Sequence, residues 1–537
     1  MVILINIYCK LIAFPLILIV INTKFAFNFE IKSITKIKIK LENGQLLIGN
    51  RKTADNNKIV YEFLGVPFAQ IPIGEKRFEF PHRLDDILPT DEYDATQHKH
   101  SCSQIPDTTF NRTFNGAEIW NPQDETSEDC LYMNIWVPIK QEYDLLFHQE
   151  SSKSDNREVK FVNLTKQDEK KLTSLFWIYG GSFITGTINL NVYDGTVISL
   201  KENIIIVSAN YRLGAFGFLY YNSSRIPGNA GLMDQLLAIE WYKTYYEHLF
   251  NAQGICLFGE SAGSMSIHFH ALNMNEKTKG LFNCAIIQSG NAYLDLTYRN
   301  PVEALEMTEK LAELTNCTNQ SIIDCLKRLD KSILLENQGY FYDNSYVNRY
   351  LPMPFIPTTD FYNYLQVTPF HSTKEVLMRK YEAMKNISFL SGINNDEGGF
   401  FLFYAYLNKY YNLTHVNKIE ALTEEIDHNQ FIANILTELL QTKNNPENSD
   451  LPEFSKCLID LYRNNHEFYD PPCEINVWKK ISKIVGDIIF SCPTIKLFES
   501  LNSIKARNNY FYRFSYSSSK SNPWPSWIGT THGMICF

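Results

Sequence analysis

The stretch Gly259-Glu260-Ser261-Ala262-Gly263 stands between two segments of different character. An apolar run at 254–258, typical of a buried strand, precedes it, and a helix-like run at 264–272 follows it. Gly-x-Ser-x-Gly between a strand and a helix predicts a nucleophile elbow, a turn sharp enough to lift a serine hydroxyl out of the sheet edge. The helix N-terminus would then direct its positive end toward charge developing near Ser261. The alternative is a chance turn, because the bare five-residue pattern is common.

Apolar runs rich in β-branched residues recur between helix-like stretches. They predict strands at 175–178, 204–207, 255–258, 285–288, 389–390 and 510–512. Because these runs are continuously apolar rather than alternating, they favour an α/β fold with a large, mostly parallel central sheet and helices on both faces. We expect one continuous domain over 28–537, in which the polar segment 140–171 forms an exposed insert.

Candidate functional residues follow several of these predicted strands, where open α/β sheets place their sites. The glycine turn at Gly181 and Ser182 follows the 175–178 run, and its backbone N–H groups could hold an oxyanion. Glu397 follows the 389–390 run, and His532 follows the 510–512 run. A carboxylate at this place could orient a histidine, with Asp396 as the nearest rival. Each partner could equally be an ordinary surface residue, because such sites are recognised by geometry.

The N-terminal region and the composition indicate an exported protein. Lys10 precedes an apolar run at 11–21, so residues 1–27 are predicted to be a signal peptide. The net charge of −9 argues against a nucleic-acid partner and suits a cationic ligand. Seven Asn-x-Ser/Thr sequons then become candidate glycan sites. They are Asn111, Asn163, Asn222, Asn316, Asn319, Asn386 and Asn412.

Eleven cysteines require an explanation, and in an oxidising compartment most should pair. Cys256 and Cys284 lie inside apolar strand-like runs and are predicted to be small buried residues. No spacing resembles a zinc or iron–sulfur site, and we expect no cofactor. The predicted disulfides are Cys102 with Cys130 and Cys317 with Cys325, and Cys457 with Cys473 is a further candidate.

Several long motifs occur in one order along residues 41–532. They include Phe63-Leu-Gly-Val-Pro-Phe-Ala69, Ser127-Glu-Asp-Cys-Leu-Tyr-Met-Asn-Ile-Trp-Val-Pro138, Asn210-Tyr-Arg-Leu-Gly-Ala-Phe-Gly-Phe-Leu219 and Pro227-Gly-Asn-Ala-Gly-Leu-Met-Asp-Gln235. With these motifs the chain resembles the type-B carboxylesterase/cholinesterase family of α/β-hydrolases, and within it the acetylcholinesterase branch. The chain order serine, acid, histidine is that of the α/β-hydrolases.

The resemblance implies a role for each candidate. Ser261 would be the nucleophile, His532 the general base and acid, and Glu397 the carboxylate that orients it. The two proposed disulfides match family disulfides. Many relatives have a glycine where this chain has Ser182. The implied oxyanion hole consists of the backbone N–H groups of Gly181, Ser182 and Ala262.

The resemblance also implies hydrolysis of a small cationic ester, and we expect acetylcholine. Trp120, in the motif 116–122, would hold the quaternary ammonium by cation–π attraction, although it could simply be a core tryptophan. Leu351 and Met353 replace the phenylalanines of the usual acyl pocket and should admit larger acyl groups. The remaining implied substrate-site residues are Asp107, Glu260, Phe400 and Phe401.

Two further functions stay open: a broad-specificity carboxylesterase, or an inactive, cholinesterase-like adhesion protein. The family continues well beyond its catalytic histidine, whereas this sequence stops five residues after His532. We therefore expect a truncated chain, with any oligomerisation or membrane-anchor signal in the missing C-terminal region. The expected location is secreted or at the extracellular cell surface.

Overall fold

A computed structural model describes most of the chain. The described residues are 30–54, 57–107, 115–140, 160–162, 171–250, 252–294, 297–318, 321–343, 353–359, 364–369, 372–402, 482–516, 524 and 528–534. The predicted signal peptide, the candidate pair Cys457 and Cys473, and Leu351 lie outside them.

Strands are numbered in chain order. They are β1 Ile31–Lys40, β2 Leu46–Ala54, β3 Ile59–Pro67, β4 Glu92–Asp94, β5 Ser101–Cys102, β6 Thr126–Ser127, β7 Tyr132–Ile139, β8 Lys160–Val162, β9 Leu172–Ile178, β10 Ile205–Ala209, β11 Tyr220–Ser223, β12 Ile226–Pro227, β13 Ala252–Glu260, β14 Cys284–Gln288, β15 Ser388–Asn394 and β16 Asn508–Phe514.

The α-helices are numbered in the same way. They are α1 Asn115–Glu118, α2 Thr196–Glu202, α3 Gly214–Phe218, α4 Ala230–Trp241, α5 Ala262–Leu272, α6 Pro301–Leu314, α7 Ile322–Arg328, α8 Lys331–Asp343, α9 Lys374–Ala383, α10 Gly398–Leu402 and α11 Cys492–Ser503. Short 3₁₀ turns occur at Gly74–Lys76 and Asn191–Tyr193, and π-helical turns at Tyr242–Tyr246 and Asp487–Ser491.

Within the described ranges, twelve strands form one mixed sheet. Its path is β16-β15-β14-β13-β9-β10-β7-β3-β2-β1-β8, and β4 pairs with β2. The six strands from β16 to β10 are mutually parallel, whereas β7, β3, β2 and β1 continue the sheet in antiparallel pairs. The six predicted strands are those six parallel strands. The predicted α/β fold is therefore confirmed.

Burial explains why the parallel strands read as continuous apolar runs. All five residues of β10 are buried, and so is every residue of α5, which packs on the neighbouring strands. In a strand covered on both faces, every buried apolar side chain stabilises the fold, so apolar and polar residues need not alternate. The nine residues of β3 are likewise all buried.

Part of the predicted exposed insert belongs to the sheet. Residues 160–162 form β8, which pairs in parallel with Ile37–Ile39 of β1. The insert therefore contains a strand that the sequence did not predict, because a three-residue strand leaves no detectable pattern in a polar segment. The rest of 141–170 lies outside the described residues.

The two predicted disulfides, Cys102–Cys130 and Cys317–Cys325, are present. Cys256 is buried as predicted, but Cys284 is only partly buried, and the two form a third disulfide that the sequence did not predict. They stand directly opposite each other on the parallel strands β13 and β14, with Cα atoms 4.5 Å apart. This separation is within the range that a disulfide spans, and only the strand register reveals it.

Three of the sequon asparagines, Asn222, Asn316 and Asn386, lie on the surface, as a glycan would require. The other four, Asn111, Asn163, Asn319 and Asn412, are outside the described residues. In the part of the chain that the structure describes, no helix has the length and apolarity to cross a membrane.

Candidate active site

The turn between β13 and α5 carries Ser261 in a strained conformation. β13 ends at Glu260, α5 begins at Ala262, and the serine between them has φ 54° and ψ −122°. A positive φ is uncommon for a residue with a side chain and marks a turn held by its surroundings. Two backbone bonds hold this one: Ser261 N–H donates to Gln288 O at 2.9 Å, and Ser261 O accepts from Met265 N–H at 2.9 Å.

The glycines of the turn are required by close packing. A Cβ added at Gly263 would lie 2.0 Å from Ile178 O, and one at Gly259 would lie 2.8 Å from the Gly263 carbonyl carbon. Both contacts are with backbone, which cannot move aside easily. α5 therefore begins pressed against the end of β9, and only glycine fits.

The turn that follows β9 runs beside Ser261. A Cβ at Gly180 would lie 3.0 Å from Cβ of Ser261. Gly181 and Ser182 both have positive φ, 114° and 56°, and their N–H groups donate no hydrogen bond to any described residue. Ala262 is the first residue of α5, where an N–H has no intrahelical acceptor. These three amides are thus available for an anion near Ser261.

Glu397 and His532 meet although they are 135 residues apart in the chain. Oε2 of Glu397 lies 2.8 Å from Nδ1 of His532. Oε1 accepts hydrogen bonds from the Ser289 hydroxyl at 2.5 Å and from Asn394 N–H at 2.6 Å. Both side chains are buried, at 2% and 6% exposure. The carboxylate is held on both oxygens, so its second oxygen has a fixed place from which to orient the imidazole.

Asp396, the rival acid, has a different position. Its Oδ2 accepts from Thr530 N–H at 2.9 Å, and its own N–H donates to Thr530 O at 3.0 Å. Its carboxylate is thus engaged by the backbone that leads to His532. Of the two acids, Glu397 contacts the ring and Asp396 contacts the loop that carries it.

Glu260 is the third acid of the site. Oε1 of Glu260 lies 3.2 Å from Nε2 of His532, and among the described residues no hydrogen bond joins the Ser261 hydroxyl to this ring. Burial raises the pKa of Glu260 to about 7, and the nearby Glu397 adds to the rise. Burial alone would lower the pKa of His532, but Glu260 and the bonded Glu397 together raise it.

Three phenylalanines surround the imidazole of His532. Phe490 stacks on it with centroids 4.5 Å apart and an interplanar angle of 26°. Phe401 and Phe400 follow at 5.2 Å and 5.8 Å, and Phe400 also contacts Trp524 at 5.8 Å. The rings exclude water from the imidazole, which strengthens its interaction with the carboxylates.

The other predicted substrate-site residues are only partly brought together. Trp120 reaches the site, because a Cβ on Gly533 would lie 3.4 Å from its ring. Asp107 exchanges backbone bonds with the Asn121 side chain, next to Trp120. Met353 is partly buried against the core, and its carbonyl accepts from Arg299. Leu351 lies outside the described residues, so the acyl-pocket prediction stays a prediction.

Sequence reasoning missed Ser289, Asn394 and Phe490. Ser289 immediately follows β14, a predicted strand, and the rule that sites form at strand ends could have found it. Asn394 ends β15 and could have been found in the same way. Phe490 lies in the π-helical turn Asp487–Ser491, and no local pattern relates it to His532.

Comparisons with known proteins identify the family of the chain. The family model described as carboxylesterase family matches residues 35–537. The chain is 32% identical to Acetylcholinesterase 1 of Caenorhabditis briggsae, over 92% of this chain and 72% of that protein. It is also 32% identical to Cholinesterase of Mus musculus and to Acetylcholinesterase of Leptinotarsa decemlineata, in each case over 88% of this chain and 69% of the relative. The chain therefore belongs to the carboxylesterase family.

Proposed function

We propose that this protein is a serine hydrolase that cleaves choline esters, with acetylcholine as the expected substrate. One observation carries the proposal: a buried histidine, bonded to Glu397, lies 3.2 Å from Glu260, the residue that precedes Ser261 in its strained turn. The names of the relatives, two acetylcholinesterases and a cholinesterase, favour this ester class. An extracellular location is part of the proposal, because disulfides persist in oxidising compartments.

The proposed reaction is a two-step acyl transfer. His532 takes the proton as Ser261 Oγ attacks the ester carbonyl carbon, and Glu397 stabilises the imidazolium that forms. The amides of Gly181, Ser182 and Ala262 hold the oxyanion. Choline leaves with the proton from the imidazolium. Water then attacks the acyl-serine with the same histidine as base, which releases the acid and restores the serine.

The reaction requires Nε2 of His532 to face the serine hydroxyl. In the structure Nε2 is 3.2 Å from Glu260, the residue next to Ser261 in sequence, and makes no hydrogen bond to the serine hydroxyl, so the two groups must meet when substrate binds. Catalytic hydrogen bonds often tighten only when substrate binds. The bond between Glu397 and Nδ1 would keep the ring in the correct tautomer during this change.

Recognition of the cation is assigned to Trp120, next to Gly533, and to the carboxylate of Glu260. An aromatic face attracts a quaternary ammonium, and a nearby carboxylate adds charge of the opposite sign. Ser182 retains a backbone donor in the oxyanion hole, although its hydroxyl occupies space that a glycine would leave open.

Hydrolysis of two matched esters tests the proposal. The purified protein is assayed with acetylthiocholine and with its neutral carbon isostere, 3,3-dimethylbutyl thioacetate. We expect turnover of both, with kcat/KM clearly higher for the charged ester. Equal kcat/KM would favour a broad carboxylesterase. A folded protein that hydrolyses neither would reject the proposal and favour an inactive, adhesion-type relative.

A further inference from the structure

The residues just before Glu397 contact the loop that carries His532. Asp396 N–H donates to Thr530 O at 3.0 Å, and Thr530 N–H donates to Oδ2 of Asp396 at 2.9 Å. Asn394 Nδ2 donates to Thr531 O at 2.7 Å. These three bonds hold two consecutive residues of the loop, and His532 is the next residue.

The contact is tightly packed. Gly529 has φ +79°, and a Cβ placed there would lie 2.4 Å from Oδ2 of Asp396. Asn394, Thr530 and Thr531 are almost fully buried, at 1%, 3% and 0% exposure. Asp396 is half-buried, whereas the bond from Asn394 to Thr531 is fully buried and cannot be exchanged for water without cost. These bonds fix the loop against the turn at 394–397.

The turn itself is fixed to the sheet. Asn394 ends β15, and Asn395 N–H donates to Phe514 O of β16 at 2.8 Å. Gly399 N–H donates to Asp396 O at 3.1 Å as α10 begins. One short segment thus carries both the acid that meets the imidazole and the groups that hold the backbone beside it.

We propose that Asp396 and Asn394 form a clamp that positions His532 for the acyl-transfer reaction. The clamp acts through the loop backbone, and neither side chain contacts substrate. This inference rests on the proposed function, since the clamp has a role only if His532 is the catalytic base. Displacing a catalytic group by about 1 Å costs on the order of 100-fold in rate. A released loop should therefore lower kcat more than it affects substrate binding.

The first test compares Asp396→Ala with the matched control Asp94→Ala. Asp94 also accepts from a backbone N–H, that of Thr96, but lies in β4 far along the chain. With acetylthiocholine, Asp396→Ala should lower kcat roughly 10- to 100-fold and leave KM nearly unchanged. Asp396→Asn should recover most of the activity, because an amide oxygen still accepts from Thr530 N–H. The control should match the wild type.

Two further variants separate positioning from loss of fold. Asp396→Glu keeps the charge and the acceptor but adds a methylene where Gly529 leaves no room, so kcat should again fall in a folded protein. In a His532→Ala background, Asp396→Ala should cost nothing more, because it acts through the histidine.

Three results would overturn the clamp: unchanged kcat in folded Asp396→Ala or Asp396→Glu, no recovery in Asp396→Asn, or an equal loss with and without His532. The wild type is assayed alongside. If folded wild type hydrolyses no ester, the proposed function fails and the clamp falls with it. If wild type is active, any of the three results rejects the clamp alone.

Discussion

The two halves of the candidate site are built in different ways. The elbow at Ser261 is specified by five consecutive residues between a strand and a helix, and Gln288 and Ile178 of the neighbouring strands hold it in place. The loop at His532 has no such local definition. It is held by Asn394, Asp396 and Glu397, more than 130 residues earlier in the chain.

Single substitutions should therefore have different effects in the two halves. At the two elbow glycines, Gly259 and Gly263, the surrounding backbone leaves no room for a methyl group, so substitutions of these glycines should fail by sterics. At the histidine loop the constraint is a set of hydrogen bonds with defined donors and acceptors. Substitutions there should change the reaction while the protein remains folded.

Gly263→Ala should have the largest effect. Its Cβ would lie 2.0 Å from Ile178 O, so α5 or β9 must shift, at a cost of about 3 kcal/mol or more in the free energy of unfolding. We expect loss of activity and of thermal stability. Gly339→Ala is the control, because it lies within α8 with nothing closer than 3.9 Å, and alanine favours a helix. Similar melting temperatures for the two variants would contradict the steric account.

Glu397→Gln tests whether the hydrogen bond to Glu397 orients His532. Oε1 of Glu397 accepts hydrogen bonds from the Ser289 hydroxyl and from Asn394 N–H. In the variant the glutamine oxygen must therefore take that place, and its NH₂ must face Nδ1 of His532. The imidazole is then forced into the wrong tautomer. We expect kcat to fall roughly 10³- to 10⁴-fold in a folded protein. A loss of only a few-fold, measured with acetylthiocholine, would mean that Glu397 does not orient the base.

Trp120→Ala should have a smaller and substrate-dependent effect. A desolvated cation–π contact contributes about 0.5–2 kcal/mol, which corresponds to roughly 2- to 30-fold in kcat/KM. The loss should appear with acetylthiocholine and be largely absent with 3,3-dimethylbutyl thioacetate. Equal losses on the two esters would assign Trp120 to packing rather than to cation binding.

Glu260 precedes Ser261 in sequence and lies 3.2 Å from His532, so it belongs to both halves. The substitution Glu260→Gln should mainly change the pH dependence of kcat/KM. The negative charge beside Nε2 favours the imidazolium and so raises the pKa of His532. Removing this charge should lower that pKa, leaving the histidine unprotonated and able to act as base at lower pH. The acid limb of the kcat/KM profile should therefore move to lower pH. A shift to higher pH would contradict the assigned electrostatics.

The sequence predicts the locally specified half of the site better than the half that is held by distant residues. The elbow and the six parallel strands were predictable, because their patterns are local and continuous. The choice of Glu397 over Asp396 came from the family resemblance and not from the local pattern, since adjacent residues after a strand point in different directions that only the fold decides. The Cys256–Cys284 disulfide required the strand register, and the stacking of Phe490 on His532 required a contact between distant segments.

If Ser261 is the acylated nucleophile, a serine-reactive inhibitor should label it covalently. Wild type and Ser261→Ala are treated with a serine-reactive organophosphate, digested, and analysed by mass spectrometry. We expect one phosphoryl group per wild-type molecule, on the peptide that contains Ser261, and none on the folded variant. A folded wild type that takes up no label, or carries it on another residue, would show that Ser261 is not the nucleophile.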